Sequence, residues 1–161
     1  MDYIFDPDEP FNGDSTNTVD SKCRIFVPAK WRDHLGDRII IHVGFGRSAG
    51  GKYLEMLPYE RFKKFTDKMK LISSTDTRFE NMRRFIFRNT EEVVPDKQGR
   101  VLIPKRLLDY ASIHEEAYLV GAGECLEIWN PDLFRIAEEK YDNERFVSDL
   151  SLFNAETKSI L

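Results

Sequence analysis

The sequence predicts an α+β, β-rich domain with pseudo-twofold symmetry: two copies of one small unit, a helical pair between them and a helix after the second. Three observations predict it. The segment Val19-Asp20-Ser21-Lys22-Cys23-Arg24-Ile25-Phe26-Val27-Pro28-Ala29-Lys30 recurs as Pro95-Asp96-Lys97-Gln98-Gly99-Arg100-Val101-Leu102-Ile103-Pro104-Lys105-Arg106, at a constant offset of 76. Two further blocks repeat in the same order, Ile39–Gly44 with Ala117–Gly121 and Leu54–Pro58 with Leu126–Pro131. Order kept over three blocks is the signature of a duplication. Between the copies the apolar spacing changes from short β-branched runs to a helical period.

Each element has a local cause. Residues 1–10 form an acidic N-terminal extension, with Asp2, Asp6, Asp8 and Glu9. The first unit, 11–58, opens on a polar Asp-x-x-x-Arg turn followed by the strand-forming triplet Ile25 to Val27. Pro28 biases the residue before it toward extended geometry and suits the first turn of a short helix carrying Trp31 and Leu35. A second strand, a glycine-containing turn and a third strand ending near Pro58 complete the unit. In the helical pair, 59–90, Phe62, Phe65, Met69 and Ile72 share one face, and Phe79, Met82 and Ile86 share another. Ser73-Ser74-Thr75 is the turn between these helices, and Asp76 is placed to cap the second. The second unit, 91–143, repeats the first, with Leu107 and Leu108 on its short helix. It ends in a helix capped by Asn130 with Pro131 at the first helical position. Residues 144–161 form a C-terminal tail whose weak apolar spacing (Phe146, Leu150, Phe153) fits either a frayed end or a docking segment. Both units are expected to share one domain, since 161 residues hold one good core.

Composition excludes several classes. Hydrophobic content of 41% and charged content of 32% are those of a globular chain. No apolar run approaches the ~20 residues of a membrane span, so no membrane partner is expected. An acidic N-terminus is the wrong charge for a signal or transit peptide. Cys23 and Cys125 are too few for a disulfide scaffold, which makes a reduced cytosol the expected compartment. His34, His42 and His114 have no metal-ligand spacing, and no cofactor or metal is expected.

The paired Asp-x-x-x-Arg motifs, the second written Asp-x-x-Gly-Arg, with Phe11-Asn12-Gly13 and Asn17-Thr18-Val19-Asp20 before the first, resemble the MraZ family of bacterial transcriptional regulators. The resemblance covers roughly residues 11–143. It implies a swapped-hairpin barrel of the AbrB/SpoVT type, in which two β-units interlock. It further implies a ring-shaped homo-oligomer, and binding to short G-rich direct repeats in double-stranded DNA upstream of the division and cell-wall gene cluster. A nucleoid-associated cytoplasmic regulator is implied with it. The chain departs from the motif at Cys23, where glycine is expected and where a left-handed residue other than glycine costs about 1–2 kcal/mol.

The residues expected to meet DNA are Lys22, Arg24, Lys30, Lys97, Arg100, Lys105 and Arg106. Net charge is only −4, but windows 22–32 and 97–106 each carry +4 without an acid, leaving −12 on the rest of the chain. That polarity suits one face turned to phosphate, and arginine reads guanine through two parallel hydrogen bonds. The bland alternative makes Asp20–Arg24 and Asp96–Arg100 mere turn-closing salt bridges. A second regulator reading uses helix 76–90 as a helix-turn-helix, with Arg78, Arg83, Arg84 and Arg88. A third reading is a nucleotide hydrolase built on loop 46–52, Gly46-Arg47-Ser48-Ala49-Gly50-Gly51-Lys52, which fits the letter of a P-loop. Tyr53 stands where that motif has the serine or threonine that holds Mg²⁺, and the residues after it read as a strand, so no enzyme is expected. Cys23 beside Lys22 and Arg24 also fits a redox-sensing thiol, against the simpler reading of a small residue replacing glycine. An antitoxin is disfavoured, since it would place a disordered tail after a single unit.

Overall fold

The computed structural model describes residues 8–46, 51–72 and 75–158. The first half runs β1 (Asp14–Thr18), β2 (Arg24–Phe26), α1 (Ala29–Leu35), β3 (Ile39–Val43), β4 (Leu54–Pro58), α2 (Tyr59–Met69), a 3₁₀ turn (Thr77–Phe79) and α3 (Glu80–Arg88). The second repeats it as β5 (Thr90–Val93), β6 (Arg100–Leu102), α4 (Lys105–Tyr110), β7 (Glu116–Gly121), β8 (Leu126–Trp129), α5 (Pro131–Glu139) and α6 (Asn143–Thr157). The chain is thus α+β, and a helix pair comes after the strands of each half.

Six strands form one antiparallel sheet in the order β1-β7-β8-β4-β3-β5, and β2 pairs with β6 in a separate two-stranded ribbon. The order reads the same when the halves are exchanged. The first strand of each half pairs with the hairpin of the other: Asp14 lies opposite Val120, and Thr90 opposite His42. Glu55 faces Glu127 where β4 meets β8, and Ile25 faces Val101 in the ribbon, so both equivalent pairs straddle the pseudo-twofold axis. The halves are also laced at the ribbon ends, where Val27 N donates to Gly99 O (3.0 Å) and Ile103 N to Cys23 O (2.9 Å).

β1 and β5 have no alternating apolar signal. They read Asp-Ser-Thr-Asn-Thr and Thr-Glu-Glu-Val, and they are strands because the opposite half offers them an edge. The central strands β3, β4 and β8 send alternate side chains to two faces, both of them covered. Leu54 and Met56 of β4 and Leu126 and Ile128 of β8 point to the core with Ile25, Val101, Trp31 and Leu107. Leu57 and Ile40 point to the opposite face, where Phe62 of α2 covers them.

Two helical expectations change. The spacing in 59–90 predicts a packed pair, yet α3 buries only Ile86 and leaves Met82, Phe85 and Phe87 about two-fifths exposed. Thr90 comes a single residue after α3, and its pairing with β3 pins α3 beside the sheet edge, where one apolar side chain is covered. The Ser73-Ser74 turn lies outside the described residues. Residues 143–157 form a regular helix capped by Asp142, whose carboxylate accepts from Arg145 N at 2.8 Å. This helix buries nothing and exposes Phe146, Val147, Leu150, Leu152 and Phe153. Among the described residues no helix is long and apolar enough to cross a membrane.

Candidate nucleic-acid interface

The two Asp-x-x-x-Arg turns are built alike, bond for bond. In the first, Asp20 Oδ1 accepts from Lys22 N and Arg24 N, both at 2.9 Å, and Asp20 Oδ2 accepts from Arg24 Nε at 2.8 Å. In the second, Asp96 Oδ1 accepts from Gln98 N and Arg100 N, and Oδ2 from Arg100 Nε, all at 2.9 Å. The backbone hydrogen bonds from these arginines, opposed by partial burial and joined by the guanidinium contact, hold both aspartates below the usual carboxylate range. Both turns need a left-handed residue, and it is Cys23 at φ 62° in the first and Gly99 at φ 82° in the second. The first turn therefore keeps the motif's shape and tolerates the strain of a cysteine.

The carboxylate uses only Nε of each arginine. Neither Nη group of Arg24 or of Arg100 has a hydrogen-bond partner among the described residues, so each fork is held at its base and open at its tip. The ribbon carries both forks on one face, because Arg24 lies opposite Leu102 and Phe26 opposite Arg100, while Ile25 and Val101 fill the core beneath. Phe26 and Leu102 are 44% and 53% exposed between the arginines. Sequence reasoning missed this pair by reading Ile25–Val27 and Val101–Ile103 as uniformly apolar. The period of two was the available signal, since a central residue that turns inward sends its own neighbours outward.

The remaining basic residues divide into two groups. Lys22 and Lys97 are exposed on the turns, with no side-chain hydrogen bond or ion pair among the described residues. Lys30, Lys105 and Arg106 are exposed but engaged: Lys30 Nζ donates to Asp14 O (3.0 Å), Lys105 pairs with Asp109 (3.2 Å), and Arg106 reaches Glu91 (2.6 Å) and Arg88 O (3.0 Å). Lys30 and Arg106 occupy equivalent positions, and each ties a short helix to an edge strand.

Among the described residues, the competing sites lack parts of their machinery. The connection from α2 to α3 spans residues 70–79 and includes a 3₁₀ turn, longer than the 3–4-residue turn of a helix-turn-helix. Two of its arginines are spent locally, Arg78 on Asp76 (2.6 Å) and Arg84 on Glu80. Arg47 to Gly50 of the glycine-rich loop lie outside the described residues. The loop leads into strand β4, not into the helix N-terminus a phosphate would need. Tyr53 stacks on Trp129 (4.6 Å, 5°), and its hydroxyl accepts from Gly46 N at 2.8 Å. A Cβ on Gly44 would lie 2.4 Å from that ring, so this glycine serves hairpin packing.

The family model described as "MraZ protein, putative antitoxin-like" matches residues 11–85 and again 86–155. The chain is 36% identical over 139 residues to the "Transcriptional regulator MraZ" of Mycoplasma mobile, covering 86% of this chain and 92% of that protein. Proteins of the same name from Carboxydothermus hydrogenoformans and Clostridium acetobutylicum are 34% and 35% identical. They cover 77% and 76% of this chain, and 83% and 82% of their own lengths.

Proposed function

This chain belongs to the MraZ family, and we propose that it is a sequence-specific DNA-binding transcriptional regulator that reads the major groove with the β2–β6 ribbon and its two Asp-x-x-x-Arg turns. Its role is regulatory, in line with relatives named as transcriptional regulators. The observation that carries the ribbon reading is the pair of clamped arginine forks. An aspartate fixes each guanidinium through Nε and leaves the two Nη groups for the O6 and N7 acceptors of guanine. A two-stranded ribbon fits the major groove, and the outward Phe26 and Leu102 add apolar contact between the forks. Lys22 and Lys97 take phosphates beside them. Lys30, Lys105 and Arg106 are peripheral, because each must share or release an internal partner to reach DNA.

The target is the one the family resemblance implies, short G-rich direct repeats upstream of the division and cell-wall genes. The exchange of first strands between halves supports a swapped-hairpin barrel of the AbrB type. The uncovered apolar residues of α3 and α6 support assembly into a ring of several copies, in a cytoplasmic, nucleoid-associated pool.

The test is binding to duplexes carrying G-rich boxes, measured by fluorescence anisotropy over a salt series. Arg100→Ala and Arg24→Ala should each cost about 1–3 kcal/mol of specific binding, whereas Lys97→Ala should mainly lower the salt slope, by about 1. If Arg83→Ala with Arg84→Ala abolishes binding while both motif arginines are dispensable, α3 is the reading element instead.

A further inference from the structure

On the face of the sheet opposite the ribbon, α2, the β3–β4 hairpin and the Gly123–Cys125 turn surround a cavity of about 410 Å³, within the range of small-molecule sites. Its wall is aromatic. Phe45, Phe62 and Phe65 form a continuous cluster, with ring centroids 4.8 Å and 5.9 Å from Phe65 to Phe45 and Phe62. Its floor is polar. His42 is 1% exposed and lies between Phe45 and Phe62, at 4.4 Å and 5.4 Å. His42 Nδ1 sits 2.6 Å from Val43 O, and a carbonyl only accepts, so Nδ1 carries the proton and Nε2 is left as a lone-pair acceptor. Nε2 faces Glu55 Oε2 at 3.6 Å, too far for a hydrogen bond. Burial keeps the imidazole neutral, with a pKa down to about 4, so the contact is not an ion pair either. Glu55 is anchored through its other oxygen, Oε1, which accepts from Phe45 N at 2.9 Å.

Two acceptors, His42 Nε2 and Glu55 Oε2, lie side by side at the bottom of an aromatic cavity with no donor among the described residues. A flat ring with adjacent N–H groups supplies one: its edge meets Glu55 and His42 while its faces lie against the phenyl wall. The mouth states what the rest of the ligand carries. Lys68 lines it with no side-chain partner among the described residues, and Lys64 beside it pairs with the exposed Asp8 at 3.2 Å. Glu124 and Asp8 also line the cavity, and an anionic tail would pair with Lys68 and compete with Asp8 for Lys64. We propose that this cavity binds a guanine nucleotide, with the N1–H and amino edge of the base on Glu55 and His42 and the phosphate at Lys64 and Lys68.

The equivalent cleft under α5 provides a built-in control. Glu127 answers Glu55 and Phe134 answers Phe62, but Val120 stands where His42 would be, and Glu127 Oε1 already accepts from Trp129 Nε1 at 2.9 Å. The probe is guanosine monophosphate, titrated calorimetrically into the full chain. One site per chain is expected, with Glu55→Gln weakening binding at least tenfold and Glu127→Gln leaving it unchanged. Adenosine monophosphate, whose ring edge presents an acceptor at N1, should bind at least tenfold more weakly, and guanosine without phosphate should bind weakly and without salt dependence. A bulky Phe65→Trp, at a half-buried position, should keep the melting temperature and abolish binding. Binding should persist on protein saturated with duplex DNA, because ribbon and cavity lie on opposite faces. Loss of binding under saturating DNA, equal affinity for the adenine nucleotide, or equal damage from Glu55→Gln and Glu127→Gln would each overturn the assignment. The ribbon reading would stand in all three cases.

Discussion

Cys23 and Gly99 occupy the same turn position, yet substitutions there should behave differently. Gly99→Ala adds a Cβ at φ 82°, 2.6 Å from Arg32 Nη1 and 2.9 Å from its Cδ. It should lower stability by about 2 kcal/mol in thermal or urea unfolding. Cys23→Ala should change it by no more than about 0.5 kcal/mol, since the left-handed strain is already present and only a partly buried sulfur is lost. The titrating residues separate by pH window. Asp20 and Asp96 are held below the ordinary value of about 3.9, so their contribution is fully present above that pH and disappears as pH falls through the lowered values. The Asp20→Asn, Asp96→Asn double variant should therefore flatten the acid limb below about pH 4. His42 acts higher. Its imidazole is pushed down to about 4 by burial, against about 6.5 in an unfolded chain, so the unfolded state binds the proton first. Stability falls as pH drops from about 6.5 to about 4, by up to about 3 kcal/mol. Glu55 and Glu127, raised by burial, work in the opposite sense across part of that window. The difference between wild type and His42→Gln isolates the histidine, and an unchanged slope in the variant would contradict the burial argument.

At the scale of elements, the ribbon separates folding from binding within two adjacent residues. Ile25 is fully buried against Val101 on the pseudo-twofold axis, and Ile25→Ala should cost about 2–4 kcal/mol through the cavity it leaves. Phe26 faces outward at 44% exposure, so Phe26→Ser should stay within about 0.5 kcal/mol of wild type. The same change should weaken DNA binding, because the side chain lies between the two arginine forks. Unfolding curves and anisotropy on the same two variants check both statements. A Phe26→Ser protein that binds normally would remove the apolar centre from the proposed interface.

At the scale of the molecule, the proposed ribbon contact would be weak for a single copy, given few contacts and a net charge of −4. Repeating the ribbon around a ring makes each further contact intramolecular. DNA with several boxes should bind at least ~10²-fold more tightly than DNA with one, and a spacer change of about 5 base pairs should remove most of that gain. Equal affinity for one box and three would sink the ring reading. The exposed apolar residues of α6 carry a matching prediction. Deleting residues 142–161 should leave the fold intact, since α6 buries no side chain, while light scattering should show a smaller assembly. An unchanged assembly would move the contact to another surface.

The sequence by itself determined the duplication, the motif turns, the helix cap at Asn130 and the inner strands, because each is written in local chemistry. A proline fixes φ, an aspartate caps its own backbone, and alternating apolar residues choose a strand face. The placement of Lys22, Arg24, Lys97 and Arg100 on those turns was legible for the same reason, as basic residues at fixed offsets. Only the tertiary structure decided that β1 and β5 are strands. Apart from Val93 their residues are polar, and their hydrogen bonds exist because the other half supplies an edge. It alone showed that the guanidinium forks are clamped at Nε with no Nη partner among the described residues, and that Lys30, Lys105 and Arg106 are engaged internally. It alone brought His42, Glu55 and Phe65 to one cavity. Such features arise from pairs far apart in the chain, whose approach depends on the whole sheet being formed, and no local pattern encodes a partner that distant.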